Sequence, residues 1–157
     1  MDQARVALPL VGGCLCGAVR YSLSAAPVLV HVCHCHDCQK TSGAAFTLTA
    51  LVISSALTMT GPVETKVRTT ARGREVHNSS CSVCGAGLTS SDVARATFTG
   101  LRVGTFDDSS WAVPIAQTYV ASALPWAIIP GVEQVEPEQF NYGTLSAAWR
   151  KTAPAFE

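Results

Sequence analysis

The chain lacks an excess of either charge, since 11 lysines and arginines stand against 11 aspartates and glutamates. It therefore carries no electropositive stripe to follow a phosphate backbone, and no nucleic-acid partner is expected. Long apolar runs are missing as well. No stretch approaches the ~18 uninterrupted apolar residues of a membrane helix. Met1 to Gly13, with Asp2, Arg5 and Pro9, fits neither a secretory signal nor a transit peptide. No membrane association and a cytoplasmic location are the expectations. Internal repeats and linker-like tracts are absent too, and 157 residues with 48% hydrophobic composition suffice for one core but not for two. Residues 1–157 are read as a single domain.

An even number of cysteines is the last absence. The chain has seven, which argues against a fully paired disulfide framework and turns attention to metal thiolates. They cluster as Cys14 and Cys16, then Cys33, Cys35 and Cys38, then Cys81 and Cys84. Around them the pattern is mainly β. Ala18 to Leu23 alternates apolar and polar residues, and Pro27 to Val32 leads as a strand into the cysteine triplet. Phe46 to Ile53, Leu57 to Thr60, Val63 to Thr69, Glu75 to Asn78, Thr97 to Val103 and Gln117 to Ala121 are short, rich in Thr and Val, and bounded by turn residues. Only Cys35 to Ser42, closed by Gly43, and Leu145 to Lys151 read as helical, and the last six residues read as a fraying tail.

Cys81-Ser82-Val83-Cys84-Gly85 suits a tight knuckle with both sulfurs on one ion, and glycines on both sides of Cys14-Leu15-Cys16 let that segment bend in the same way. The two pairs make a plausible four-thiolate tetrahedron. Such a site saturates zinc and adds directly to folding free energy, stapling distant strands. Cys33, Cys35 and Cys38 are one ligand short of saturation, so a second zinc there would keep an open position of the kind catalytic zinc uses. Two zinc ions per chain are expected. The alternatives are a fourth ligand from His31, His34, His36 or His77, a triplet without metal, or a three-cysteine iron–sulfur cluster, for which Cys33-x-Cys35 is unusually tight. Seven thiolates and two zinc ions would make the loaded chain about three charges more negative, which Lys40, Arg72 and Arg74 could offset.

The order Gly13-Cys14-Leu15-Cys16-Gly17-Ala18-Val19-Arg20-Tyr21, Cys33-His34-Cys35 with Cys38 and Lys40, Gly43-Ala44-Ala45-Phe46 and Cys81-x-x-Cys84-Gly85 resembles the glutathione-dependent formaldehyde-activating enzyme family. The resemblance runs from Gly12 to Leu88 and reaches Pro125-Trp126, a step that family often places in a late strand. It implies folded-over β-sheets of the Mss4-like kind, with Cys14, Cys16, Cys81 and Cys84 as structural zinc ligands and Cys33, Cys35 and Cys38 as catalytic ones. It also implies a carbon–sulfur lyase, in the manner of S-(hydroxymethyl)glutathione synthase, whose partners are a small-molecule thiol and an aldehyde. Two positions depart from the pattern: Gln39 stands where the family has an arginine, removing a cation near the triplet, and Ser80 where it has a phenylalanine.

Lys40 is the expected anion contact. His34 and His36, at alternate positions of an extended segment, are expected to point away from the cysteines into solvent. Trp111, Trp126 and Trp149 read as core or rim aromatics. The competing functions are a zinc-stapled protein-binding module without catalysis and a thiol-based zinc or redox sensor.

Overall fold

The computed structural model describes residues 5–157, which form thirteen strands and two short α-helices. In chain order the strands are β1 (Arg5–Val6), β2 (Leu10–Gly13), β3 (Arg20–Leu23), β4 (Leu29–Cys33), β5 (Thr47–Ile53), β6 (Leu57–Thr60) and β7 (Val63–Thr69). They continue as β8 (Glu75–Cys81), β9 (Gly87–Asp92), β10 (Phe98–Arg102), β11 (Ala116–Thr118), β12 (Glu133–Val135) and β13 (Ala155–Phe156). The helices are α1 (His36–Ser42) and α2 (Tyr142–Thr152). The fold is mainly β, as the strand rhythm predicts.

Eight strands make one sheet in the order β12-β11-β4-β5-β10-β9-β8-β7, and β2-β3-β6 make a second, smaller one. Register decides what each face carries. His31 pairs with Thr49 and Cys33 with Thr47, while Thr49 also pairs with Arg102 and Leu51 with Gly100 across β10. With a side-chain period of two, these residues share one face of the sheet. The residues between them, Val30, Ala50, Val52 and Leu101, turn to the other face and enter the core with Leu10, Tyr21 and Leu23 of the small sheet. Each of the Val and Leu side chains among them contributes about 1.5–3 kcal/mol by leaving water.

Helix α1 begins where β4 ends. The Cys35 sulfur caps it by accepting the Cys38 N–H at 3.3 Å. Gly43 at φ 66° ends it, donating its N–H to the Gln39 carbonyl at 2.9 Å. The C-terminal helix is longer than the sequence suggests because Asn141 caps it one turn earlier, accepting the Thr144 N–H at 3.0 Å.

Three expectations are corrected. The tail does not fray: Ala155 and Phe156 pair in parallel with Arg5 and Val6, and Phe156 packs against Trp111 and Trp149. The strand expected over Gln117 to Ala121 stops at Thr118, because Tyr119 takes the left-handed conformation at φ 59° and turns the chain. Pro125 and Trp126 lie in a 3-10 turn, Pro125–Ala127, rather than a strand, and Trp126 is 78% exposed while Trp111 and Trp149 are buried.

Candidate metal centres and the adjoining cleft

Two short loops bring the first cysteine group together. After β2, Gly17 at φ 80° lets the chain turn back so that its N–H reaches the Cys14 carbonyl at 3.2 Å. After β8, Gly85 at φ 77° does the same, its N–H reaching the Cys81 carbonyl at 2.9 Å. A side chain in place of either glycine's hydrogen would strain a left-handed backbone. The knuckles face one another, and the sulfurs of Cys14, Cys16, Cys81 and Cys84 all lie within 4.8 Å of one another. Cys14 to Cys16 is 3.6 Å and Cys16 to Cys81 is 3.9 Å. Tetrahedral zinc with sulfur at about 2.3 Å needs sulfurs about 3.8 Å apart. The donor set and its spacing therefore fit zinc.

Backbone amides favour the thiolate form here. The Val19 N–H donates to the Cys14 sulfur at 3.2 Å and lowers that thiol to about 6. The Ala86 N–H likewise holds Cys84 below the ordinary thiol range.

The second group is local. Cys33 ends β4, Cys35 caps α1, and Cys38 sits one turn into that helix, so strand end and first turn gather three sulfurs within 4.8 Å of one another. Among the described residues no histidine or carboxylate joins them. The neighbouring Cys33 and Cys35 thiols hold Cys38 far below the ordinary thiol range, and Cys33 is pushed up in return. This group too could hold zinc, with three protein donors.

The triplet opens onto a cleft of about 340 Å³ on the β4–β5–β10 face, continuous through His31, Cys33 and Tyr119 with a second of about 390 Å³. The cleft is lined by Arg68, Arg72, Arg74, Arg95 and Arg102, five of the chain's eight arginines. One wall is the β7–β8 hairpin, latched to α1 where Arg68 donates to the Asp37 carboxylate at 3.0 Å. At the hairpin tip Arg72 reaches the Tyr119 hydroxyl at 3.3 Å and pairs with Glu138. Tyr119 holds its left-handed backbone beside Thr118, which pairs with Cys33. A bulky residue at positive φ is uncommon, and here it sets an aromatic ring at the cleft wall.

Most cysteine readings meet a matching arrangement, but other side chains do not. His34 is fully buried, not solvent-facing: β11 runs alongside β4, and the His34 Nε2 sits 3.1 Å from the Gln117 Oε1. Gln117 uses its Nε2 to donate to the Ile129 and Val132 carbonyls, and its Oε1 accepts from the Ile129 N–H. Its oxygen can only accept, so His34 carries its proton on Nε2. His36 is exposed, as expected, but it opens α1 rather than extending the strand, and it lines the cleft together with the cysteines instead of turning away from them. His31, on the cysteine face of β4, is kept neutral by burial, its ring pushed down to about 4.

Lys40 is exposed near the end of α1 and does not line the cleft. The helix turns it outward, and arginines stand where it was expected. Gln39 does not line the cleft either. Its amide nitrogen donates to the His34 carbonyl at 2.7 Å and the Ser122 carbonyl at 2.9 Å, tying the triplet to the turn after Tyr119. Of the cleft arginines only Arg72 and Arg74 stood out in the sequence. Arg68, Arg95 and Arg102 are strand-end and loop residues, and only the pairing register aims them together.

A mainly β protein with one four-cysteine and one three-cysteine group, the latter at a cleft, is the class that fold and site define. A family model described as glutathione-dependent formaldehyde-activating enzyme matches residues 9–122, and the chain belongs to that family. No curated protein matches it. Among solved structures, the crystal structure of a Rhodobacter sphaeroides protein, a structural-genomics target, is similar with a TM-score of 0.51 at 17% identity, covering 62% of this chain and 88% of that one. At that identity the likeness concerns the fold alone. No helix among the described residues is long and apolar enough to cross a membrane.

Proposed function

We propose that the protein is a zinc-dependent enzyme that joins a thiol to a small aldehyde and, in reverse, acts as a carbon–sulfur lyase. Glutathione and formaldehyde are the pair that the family's description names. Cys14, Cys16, Cys81 and Cys84 would hold a structural zinc, and Cys33, Cys35 and Cys38 a second one. Seven free thiols suit a reducing compartment such as the cytoplasm. The observation that carries this reading is the three-cysteine group at the edge of a cleft with no fourth donor among the described residues. A protein-binding module with both ions saturated would need one.

When bound at three thiolates, zinc supplies Lewis acidity and favours the deprotonated form of a fourth, external ligand. The chain's own residues do the rest. Cys35 and the first turn of α1 fix the triplet's geometry. Arg72 holds Tyr119 against the cleft wall, and the cleft arginines favour an anion beside the cysteines. In the reaction, a bond forms between the thiol sulfur and the aldehyde carbon while the carbonyl π bond breaks. The thiol proton ends on the former carbonyl oxygen, and nothing is oxidised or reduced.

Exchange NMR on glutathione and formaldehyde at equilibrium tests this directly. The zinc-loaded protein should raise the exchange rate well above the buffer rate, and Cys38→Ser should return it to that rate. A loaded, folded protein that leaves the rate at the buffer value across pH 6 to 9 would sink the formaldehyde reading.

A further inference from the structure

The cleft is arginine-rich in a particular way. Three of its guanidiniums already have carboxylates: Arg68 has Asp37, Arg72 has Glu138 and Arg74 has Asp92. Among the described residues no carboxylate lies within ion-pair distance of Arg95 or Arg102. Arg102 is nevertheless half-buried, on the cleft face of β10. A partly buried guanidinium that lines a cleft without a counter-charge is placed to take an anion from outside. Arg95 is exposed but not free to wander. It donates to the Tyr142 hydroxyl at 3.0 Å and lies 5.3 Å over the Tyr142 ring, which itself stacks on Phe98. That packing fixes the guanidinium at the cleft's far end before any ligand arrives.

Register places the two along one line. Arg102 pairs with Thr49, two residues from the Thr47 that pairs with Cys33, so it adjoins the triplet. Arg95 precedes Phe98 at the opposite end of β10. Between them the floor is Gly100, where a Cβ would come within 2.9 Å of the Thr49 methyl and 3.1 Å of the Ser90 carbonyl oxygen. The absence of that carbon keeps the floor low. A cleft of about 340 Å³ falls in the range of small-ligand sites and admits a ligand of tripeptide size.

We propose that Arg102 and Arg95 form a two-point anion clamp selecting a thiol that carries two carboxylates, with Arg102 holding the carboxylate nearer the sulfur. The assignment rests on the thiol–aldehyde reading above and adds which residues choose the thiol. Arg102 and Arg95 offer forked donors, which suit carboxylates in bidentate geometry. The clamp makes charge, rather than sulfur chemistry, the source of discrimination against neutral thiols.

Calorimetric titration of the zinc-loaded protein with S-methylglutathione, which has both carboxylates and no free thiol, separates the clamp from the chemistry. Its diethyl ester, which keeps the amino group but has no carboxylate, is the comparison. The acid should bind at least about tenfold more tightly than the ester, and Arg102→Gln or Arg95→Gln should each weaken the acid by about tenfold while leaving the ester unchanged. Arg150→Gln, on the exposed side of α2, controls for net charge. Should Arg102→Gln fail to fold, Arg95→Gln and a salt titration of the unmodified protein decide the matter, since salt should weaken the acid and should not weaken the ester.

Equal binding of acid and ester, or variants within about twofold of the parent, would overturn the clamp. So would tighter binding of inorganic pyrophosphate than of S-methylglutathione, which would assign the arginines to a phosphate ligand. A protein that binds the acid through these arginines yet accelerates no exchange would count against the reaction alone. One that turns over glutathione equally well without them would count against the clamp alone.

Discussion

The two cysteine groups use one kind of donor for opposite ends. Cys14 and Cys16 meet Cys81 and Cys84 across a sequence gap of 65 residues between Cys16 and Cys81, joining the turn after β2 to the knuckle after β8. Closing so long a loop is entropically expensive, and a metal that does it returns its binding energy as folding energy. Cys33, Cys35 and Cys38 are already neighbours, brought together by the end of β4 and by the first turn of the helix that Cys35 itself caps. Removing them unties nothing distant. On the proposed reading, the position of each group in the topology, not its ligand chemistry, would separate a staple from a reactive site.

The largest expected effect breaks that comparison most sharply. Cys81 is 1% exposed and belongs to both β8 and the four-sulfur group. Cys81→Ser should cost 5 kcal/mol or more, on the order of a small protein's whole stability, leaving little folded chain by circular dichroism. Cys38→Ser should leave a cooperative melt within a few degrees of the parent, with about half the zinc and no exchange activity. Equal destabilisation by both changes would erase the distinction.

Next in size is Gln117→Leu. Gln117 is fully buried and makes four hydrogen bonds, one of them to the ring of His34 between Cys33 and Cys35. Losing that network strands two carbonyls and the imidazole, for about 3–5 kcal/mol in urea unfolding. Its second consequence sharpens the comparison. Zinc in the triplet should weaken in a chelator competition while zinc in the four-sulfur group stays tight. In the unmodified protein, nitrogen chemical shifts should show His34 protonated at Nε2.

Tyr119→Gly is smaller and has opposite signs for stability and function. Glycine relieves the positive φ at Tyr119, by about 1 kcal/mol, against the loss of the ring and its Arg72 contact. The melt should change by only a few degrees. Exchange activity should fall several-fold, because the wall beside Cys33 loses its aromatic side chain. An unchanged rate would remove Tyr119 from the site.

What was legible in the sequence follows the same division. The cysteine groups could be read because their signal is local: x-spacing and glycines that permit a knuckle. The strands from Ala18 to Thr69 could be read because their signals, alternation in Ala18 to Leu23 and Thr and Val content between turn residues further on, are local too. The Gly87–Asp92 strand was not visible, four of its six residues being Ser, Thr or Asp, and it is held by β8 and β10 on either side. The arginine cleft and the burial of His34 depend on register between strands far apart in sequence. Alternation along one segment put His34 outside, but the neighbouring strand β11 covers that side.

The smallest expected effect concerns the departure from the family pattern at Gln39. Its side chain lies outside the cleft and works as a double donor to the His34 and Ser122 carbonyls, a task that an arginine's forked N–H groups also perform. Gln39→Leu strands both carbonyls and should cost about 1–2 kcal/mol in urea unfolding. Gln39→Arg should stay within about 0.5 kcal/mol of the parent and leave the affinity for S-methylglutathione unchanged. A tighter acid in Gln39→Arg would mean that this position does face the ligand. The missing cation would then belong to the reactive group rather than to the scaffold that holds it.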